Sequence, residues 1–175
     1  MKHEIRIAGS GGQGVVFAGT ILGRSACVYE GLNVIQSQSY GAEARGGRCR
    51  ADAILSDGEI YDIIVTKPDV LLIMNQTSMD FYNNLVADCP TILINSDIVK
   101  KIPETNGRVF KIPATKIAND LGTPAVSNMA MLGGFSAVTE IIRGESIEKS
   151  LRETLGKDIV ERNIHAVREG FKQTE

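Results

Sequence analysis

The sequence predicts an α/β protein of three-layer α/β/α architecture, and three observations predict it. Short apolar runs of strand length alternate with longer segments of helical apolar spacing, the pattern of a sheet covered by helices on both faces. Two of the runs, Val70 to Met74 (VLLIM) and Thr91 to Asn95 (TILIN), are continuously apolar, as buried parallel strands are. A third stretch, Arg48 to Leu55, alternates and precedes a turn signal, which makes the sheet mixed and mostly parallel, with one β-hairpin.

Each element can be justified in order. Glu4 to Ala8 (EIRIA) reads as the first strand and enters a glycine turn, Gly9 to Gly14. Val15, Ala18, Leu22, Ala26 and Tyr29 then recur at helical spacing, and Gly31 suits the stop. Asn33 to Ser37 (NVIQS) reads as a second strand. In Arg48 to Leu55, Cys49, Ala51, Ala53 and Leu55 take one face, and Arg48, Arg50 and Asp52 the other. Asp57-Gly58 is a two-residue hairpin signal, with Ile60 to Val65 as the expected returning strand. Ser78 to Val86 and Pro113 to Asp120 are expected as helices. Ser127 to Ile142 is apolar nearly all round, so that helix is buried inside the fold or under a partner. Two amphipathic helices close the chain, one with the stripe Ile147, Leu151, Leu155, the other with Val160, Ile164, Val167, Phe171. Asp158 with Glu161 three residues on fits an N-cap and its capping-box partner.

Composition bounds the function. The 175 residues are read as one domain, 1–175, of a size that buries roughly 70% of its unfolded surface. A net charge of -2 gives nucleic-acid binding no electrostatic support. The apolar runs are too short to span a bilayer, and MKHEIRIAG leads directly into a strand, so neither a membrane segment nor a signal peptide is expected. A cytoplasmic location follows as the expectation. Cys27, Cys49 and Cys89 lie far apart and match no cluster or zinc spacing with His3 or His165. They read as reduced, packed cysteines, and no metal is assigned to this chain.

Gly9-Ser-Gly11-Gly12-Gln13-Gly14 matches G-x-G-x-x-G between a strand and a helix, which makes the fold Rossmann-like. A dinucleotide site also needs an acid at the end of the second strand, where Gln36, Ser37, Gln38 and Ser39 stand instead, while Glu30 sits at the wrong end. Two readings of the turn remain: an anion site at a helix N-terminus, with the Gln13 amide able to donate and accept, or a tight turn whose glycines serve packing. A second glycine-rich stretch runs from Tyr40 and Gly41 through Glu43, Arg45, Gly46 and Gly47 to Arg48 and Arg50. Its glycines permit close approach of another molecule. The alternative there is a surface loop of solvated charges.

Two motifs together, G-x-G-G-Q-G-V at Gly9 to Val15 and S-Y-G-x-E-x-R-G-G at Ser39 to Gly47, resemble the gamma subunit of 2-oxoacid:ferredoxin oxidoreductases in order, spacing and chain length. The second motif looks most like the 2-oxoglutarate branch; pyruvate, indolepyruvate and branched-chain 2-oxoacid versions are the alternatives. The resemblance implies a complex that decarboxylates a 2-oxoacid on thiamine diphosphate, passes electrons through iron–sulfur clusters to ferredoxin and forms an acyl-coenzyme A. It places thiamine diphosphate, magnesium and the clusters on alpha, beta and a ferredoxin-like delta subunit, so that this chain binds no cofactor alone, is inactive alone and contains no catalytic residue. It implies that the Gly9 to Gly14 turn faces the active site and that Tyr40, Gly41, Glu43, Arg45, Gly46, Gly47, Arg48 and Arg50 meet partner subunits or coenzyme A. In isolation the chain is expected to be able to form a homodimer. Rival expectations are a stand-alone nucleotide- or anion-binding regulatory domain and a pure assembly protein.

Overall fold

The computed structural model describes residues 1–41 and 46–173. Its sheet has six strands: β1 (Lys2–Ser10), β2 (Asn33–Tyr40), β3 (Arg48–Ser56), β4 (Val70–Ile73), β5 (Thr91–Asn95) and β6 (Arg108–Ile112). Their order across the sheet is β2-β3-β1-β4-β5-β6. The pairs β1–β4, β4–β5 and β5–β6 are parallel, whereas β3 is antiparallel to both β1 and β2. The helices are α1 (Val15–Arg24), α2 (Gln76–Phe81), α3 (Asn83–Asp88), α4 (Ala114–Asp120), α5 (Ser127–Thr139), α6 (Gly144–Thr154) and α7 (Lys157–Lys172). Helices α1, α4, α5, α6 and α7 share the larger apolar core on one face of the sheet. On the other face Met79 and Val86, from α2 and α3, close a smaller core over Leu71, Ile73, Ile92 and Ile94. The three layers expected from the sequence are present, and among the described residues no helix is long and apolar enough to cross a membrane.

The hairpin lies elsewhere than expected. β3 returns on β2, the strand before it, and its second edge is occupied by β1. A strand at Ile60 to Val65 therefore finds no edge of β3 to pair with, and the segment runs as irregular chain anchored by buried Val65, while Tyr61, Ile63 and Ile64 stay exposed. Three smaller departures have local causes. The segment expected as one helix, Ser78 to Val86, is two, broken at Tyr82, with Asn75 capping α2 by accepting from the Ser78 N–H at 2.8 Å. Regular α1 stops at Arg24 and continues as a π-helical turn, Ser25–Tyr29, where the Ser25 hydroxyl donates to the Ile21 carbonyl at 2.7 Å. Asp158 lies inside the first turn of α7 rather than at its N-cap, which is Gly156. There it complements the helix dipole without capping. Strand β6 has no clean alternation and was not expected.

Helix α5 is buried by its own chain. A Cβ at Gly133 would lie 2.0 Å from the Val167 carbonyl, and one at Gly170 would lie 1.9 Å from the Ala130 carbonyl. Only glycine at these positions lets the backbones of α5 and α7 touch. On the opposite side Gly134 admits Ile112 and Leu93 of the sheet.

Two polar clusters are built into this frame. Arg6, on β1, is 4% exposed and donates bidentately to Asp52 of β3 at 2.7 Å to each oxygen, and to the Val65 carbonyl at 2.9 Å. Burial opposes its charge, but Asp52 outweighs burial and the guanidinium pKa is raised. Removing one member of such a pair strands the other. Asp52→Asn is therefore expected to lose about 3–5 kcal/mol in urea unfolding, and Arg6→Met with Asp52→Leu much less.

Glu30 docks α6 against the end of the π-helical turn. It accepts from the Ser146 hydroxyl at 2.5 Å and from the Arg143 N–H at 3.0 Å. Burial works against the Glu30 charge, yet the donors from Ser146 and Arg143 outweigh it and hold its pKa below the ordinary 4.5. A lowered folded pKa gives stability that is complete above that ordinary value and is lost as pH falls through the lower folded one. The stability gap between wild type and Glu30→Gln, read by denaturant titration, is expected to be constant near neutral pH and to close in acid.

Candidate functional site

Strand β1 ends at Ser10, and its turn delivers the chain into α1 through Gly14, whose φ of 70° is left-handed. A side chain at position 14 would be strained, and its Cβ would stand 2.3 Å from the Asn128 amide nitrogen, which donates to the Gly14 carbonyl at 3.0 Å. Gln13 does not reach outward. Its side-chain oxygen accepts from the Ser10 N–H at 2.8 Å and from the Asn75 amide at 2.7 Å, and the same Asn75 amide donates to the Ser10 hydroxyl at 2.6 Å. The turn after β1 is thereby tied to the turn after its parallel neighbour β4. Of the two readings of the turn, packing accounts for Gln13, Gly9 and Gly14.

The second motif lies against the first. In the β1–β3 ladder Ser10 stands opposite Arg48, and the Gly11 N–H donates to the Gly47 carbonyl at 2.8 Å. Gly46, with φ of 72°, approaches within 3.4 Å of where a Gly11 Cβ would be. The Gly41 N–H donates to the Arg48 carbonyl at 2.6 Å and extends the contact between β2 and β3 past Tyr40. Glu43 and Arg45 lie outside the described residues. Thus Gly9, Gly11, Gly12, Gln13 and Gly14 share one end of the sheet with Tyr40, Gly41, Gly46, Gly47 and Arg48.

Beside this junction is a cavity of about 200 Å³ lined by Ser39, Tyr40, Arg48, Arg50, Phe81 and Tyr82. The Arg48 guanidinium lies over the Phe81 ring, 4.0 Å from its centroid, and Phe81 meets Tyr82 edge-on at 4.9 Å. Arg50 approaches Asp52 only at 3.6 Å, because both carboxylate oxygens already accept from Arg6. The wall therefore carries more positive than negative charge, next to aromatic faces. Such a wall suits a phosphate or carboxylate group and a flat ring. Cys49 also lines the cavity, but burial pushes its thiol pKa up, and burial holds Cys89 at about 11. Neither is a thiolate nucleophile near neutral pH. Among the described residues no group of three or more His, Cys, Asp or Glu is placed to hold a metal ion. No acid ends β2, and Glu30, at its other end, is committed to α6.

Residues 4–173 match the family model described as pyruvate ferredoxin/flavodoxin oxidoreductase. The chain belongs to this family. It is 38% identical over 175 residues to the 2-oxoglutarate synthase subunit KorC of Methanocaldococcus jannaschii, covering 98% of this chain and 94% of the relative. The pyruvate/ketoisovalerate oxidoreductases common subunit gamma of Thermococcus kodakarensis is 30% identical, covering 98% of this chain and 96% of the relative. Among solved structures, the gamma subunit of a keto/oxoacid ferredoxin oxidoreductase from Geobacter sulfurreducens superposes with a TM-score of 0.88 at 34% identity, over 99% of this chain and 96% of that one. As a gamma-type chain of this family, the protein is a subunit of a 2-oxoacid:ferredoxin oxidoreductase.

Sequence reasoning missed the gamma chain's supporting residues Asn75, Asn128, Phe81 and Tyr82. Asn75 had a legible signal, an N-cap residue three positions before Ser78. The others had none, since their roles come from strands and helices far away in sequence. If Gln13 is a structural tie, Gln13→Ala leaves the Ser10 N–H and the Asn75 amide short of an acceptor, and about 1–3 kcal/mol is expected to be lost in thermal or chemical unfolding. A Gln13 that served only a ligand would leave the stability of the free chain unchanged.

Proposed function

We propose that the chain is the gamma subunit of a 2-oxoglutarate:ferredoxin oxidoreductase, and that it presents the junction of its two glycine motifs to the active centre of the assembled enzyme. The observation that carries this reading is the Gly11–Gly47 hydrogen bond, which joins the two motifs into one surface. The identity to KorC over almost the whole of both chains supports 2-oxoglutarate as the oxoacid. A relative named as common to pyruvate and ketoisovalerate oxidoreductases argues that the acid is selected mainly by other subunits.

The division of labour follows from the residues. Thiamine diphosphate with magnesium supplies the decarboxylation chemistry, and iron–sulfur clusters supply electron transfer to ferredoxin; this reading puts both on alpha, beta and a ferredoxin-like delta subunit. Among the described residues no group of three or more His, Cys, Asp or Glu is placed to hold a metal ion, and burial raises the thiol pKa of Cys49 and Cys89. What this chain adds is binding and orientation. Arg48 and Arg50, with Phe81 and Tyr82 beside them, fit the phosphates and adenine of coenzyme A. The stretch of sequence from Tyr40 to Gly47, with Glu43 and Arg45, is assigned to contact with alpha and beta. The stand-alone nucleotide-binding alternative is weakened by the internal use of Gln13 and by the missing acid at the end of β2. A cytoplasmic location accords with the proposed partners.

Purification of the tagged chain from its host is expected to bring down a thiamine diphosphate subunit and a ferredoxin-like subunit. The isolated chain is expected to be folded, colourless and inactive, and oxoacid-dependent reduction of an acceptor by it alone would overturn the reading. In the reconstituted complex Arg48→Ala is expected to raise KM for coenzyme A with assembly intact. Arg45→Ala is expected to weaken assembly by roughly 2–5 kcal/mol while leaving the melting temperature of the free subunit unchanged.

A further inference from the structure

Arg6 is not among the residues that line the cavity beside the glycine junction, yet it bears on two that do, Arg50 and Tyr82. Its guanidinium holds both oxygens of Asp52, the carboxylate that Arg50 approaches at 3.6 Å. It also lies over the Tyr82 ring, 5.2 Å from the centroid, at the break between α2 and α3.

Competition for Asp52 is decided by burial and geometry. The Arg6 and Asp52 side chains are 4% and 2% exposed, whereas that of Arg50 is 37% exposed. The planar fork of Arg6 spans the carboxylate with two bonds of 2.7 Å, and its Nη2 also donates to the Val65 carbonyl at 2.9 Å. Two matched charge-assisted bonds satisfy both oxygens, and Arg50 at 3.6 Å stays beyond hydrogen-bond distance. One carboxylate therefore stands between two guanidinium groups and is held by one of them. The surplus positive charge faces the cavity, where an incoming anion can take its donors. Without Arg6, Asp52 would be a buried carboxylate with Arg50 already in ion-pair range. A buried charge does not stay unpaired at small cost, so Arg50 would close on it and leave the cavity wall.

We propose that Arg6 is a positioning residue for coenzyme A: by occupying both oxygens of Asp52 it keeps the Arg50 guanidinium for a phosphate of the ligand. This rests on the reading of the cavity as the coenzyme A site and adds the residue that holds the site ready. The contact with Tyr82 acts in the same direction, since it fixes an aromatic wall of the same cavity. A site already arranged before the ligand arrives loses less on binding.

Steady-state kinetics of the reconstituted complex test this, with coenzyme A as the varied substrate. Arg50→Ala is expected to raise KM for coenzyme A roughly tenfold, the effect of losing one charge-assisted hydrogen bond. Arg6→Met is expected to raise it to the same extent, with a smaller change in kcat. Arg50→Ala added to Arg6→Met is expected to do no more, because both act through one guanidinium. A merely structural defect would add to that of Arg50→Ala. Arg6→Met with Asp52→Leu removes what draws Arg50 away, and KM is expected to return to near the wild-type value. A wild-type KM for Arg6→Met, additive effects of Arg6→Met and Arg50→Ala, or an unrescued KM with Asp52→Leu overturns the proposal. A raised KM for Arg48→Ala beside a wild-type KM for Arg50→Ala also overturns it, and leaves the reading of the cavity standing. Wild-type values for both Arg48→Ala and Arg50→Ala remove that reading and the proposal with it. If the Arg6→Met chain does not fold, Arg6→Lys replaces it. A single ammonium does not span both oxygens, so KM is expected between those of wild type and Arg50→Ala, and a wild-type value counts against the proposal in the same way.

Discussion

The antiparallel insertion of β3 between β2 and β1 is the constraint on which the rest of the structure depends. It uses both edges of β3 and sets Ser10 opposite Arg48. The glycine turn that ends β1 and the glycine-rich loop that enters β3 are thereby forced to the same end of the sheet. A purely parallel arrangement would separate them by the length of a strand. The hydrogen bond from Gly11 to Gly47 completes what the register begins.

The same pairing creates the electrostatics of the site. Arg6 and Asp52 face each other because their strands are neighbours, and the bidentate contact satisfies both oxygens of the carboxylate. Arg50, on the same side of β3, is left with only a 3.6 Å approach to that carboxylate. Arg48 turns to the Phe81 ring. A buried pair that is internally neutral thus leaves its neighbours available for an outside anion. Within one row of charges, Arg6 and Asp52 are committed to each other and Arg48 and Arg50 are not.

Much of this was legible in the sequence, for physical reasons that differ by element. β4 and β5 announce themselves because strands covered on both faces must be apolar throughout. The closing helices do so because one stripe is buried and the rest is wet. The hairpin was misplaced because Asp57-Gly58 is a genuine turn signal, yet whether a following strand forms depends on a free edge, and β1 holds that edge from the far end of the chain. The glycine turn was legible as a turn but not as a tie. That Gln13 is spent on Asn75 depends on β4 lying beside β1, which no local pattern records. The cavity wall was half visible: Arg48 and Arg50 stood in the alternating strand, while Phe81 and Tyr82 arrive from a helix pair that reads as ordinary core.

The glycine contact between α5 and α7 has a consequence for the order of events during synthesis. Helix α5 is apolar on nearly every side, and its outer side is closed by Val167 and Gly170, from a helix made later than it. Until those residues leave the ribosome, α5 has only one of its two covers, and the larger core remains open to water. The larger core therefore closes only once α7 is in place. A ribosome that stalls before α7 holds a sheet already threaded but a sticky helix without its lid, the species that a chaperone binds.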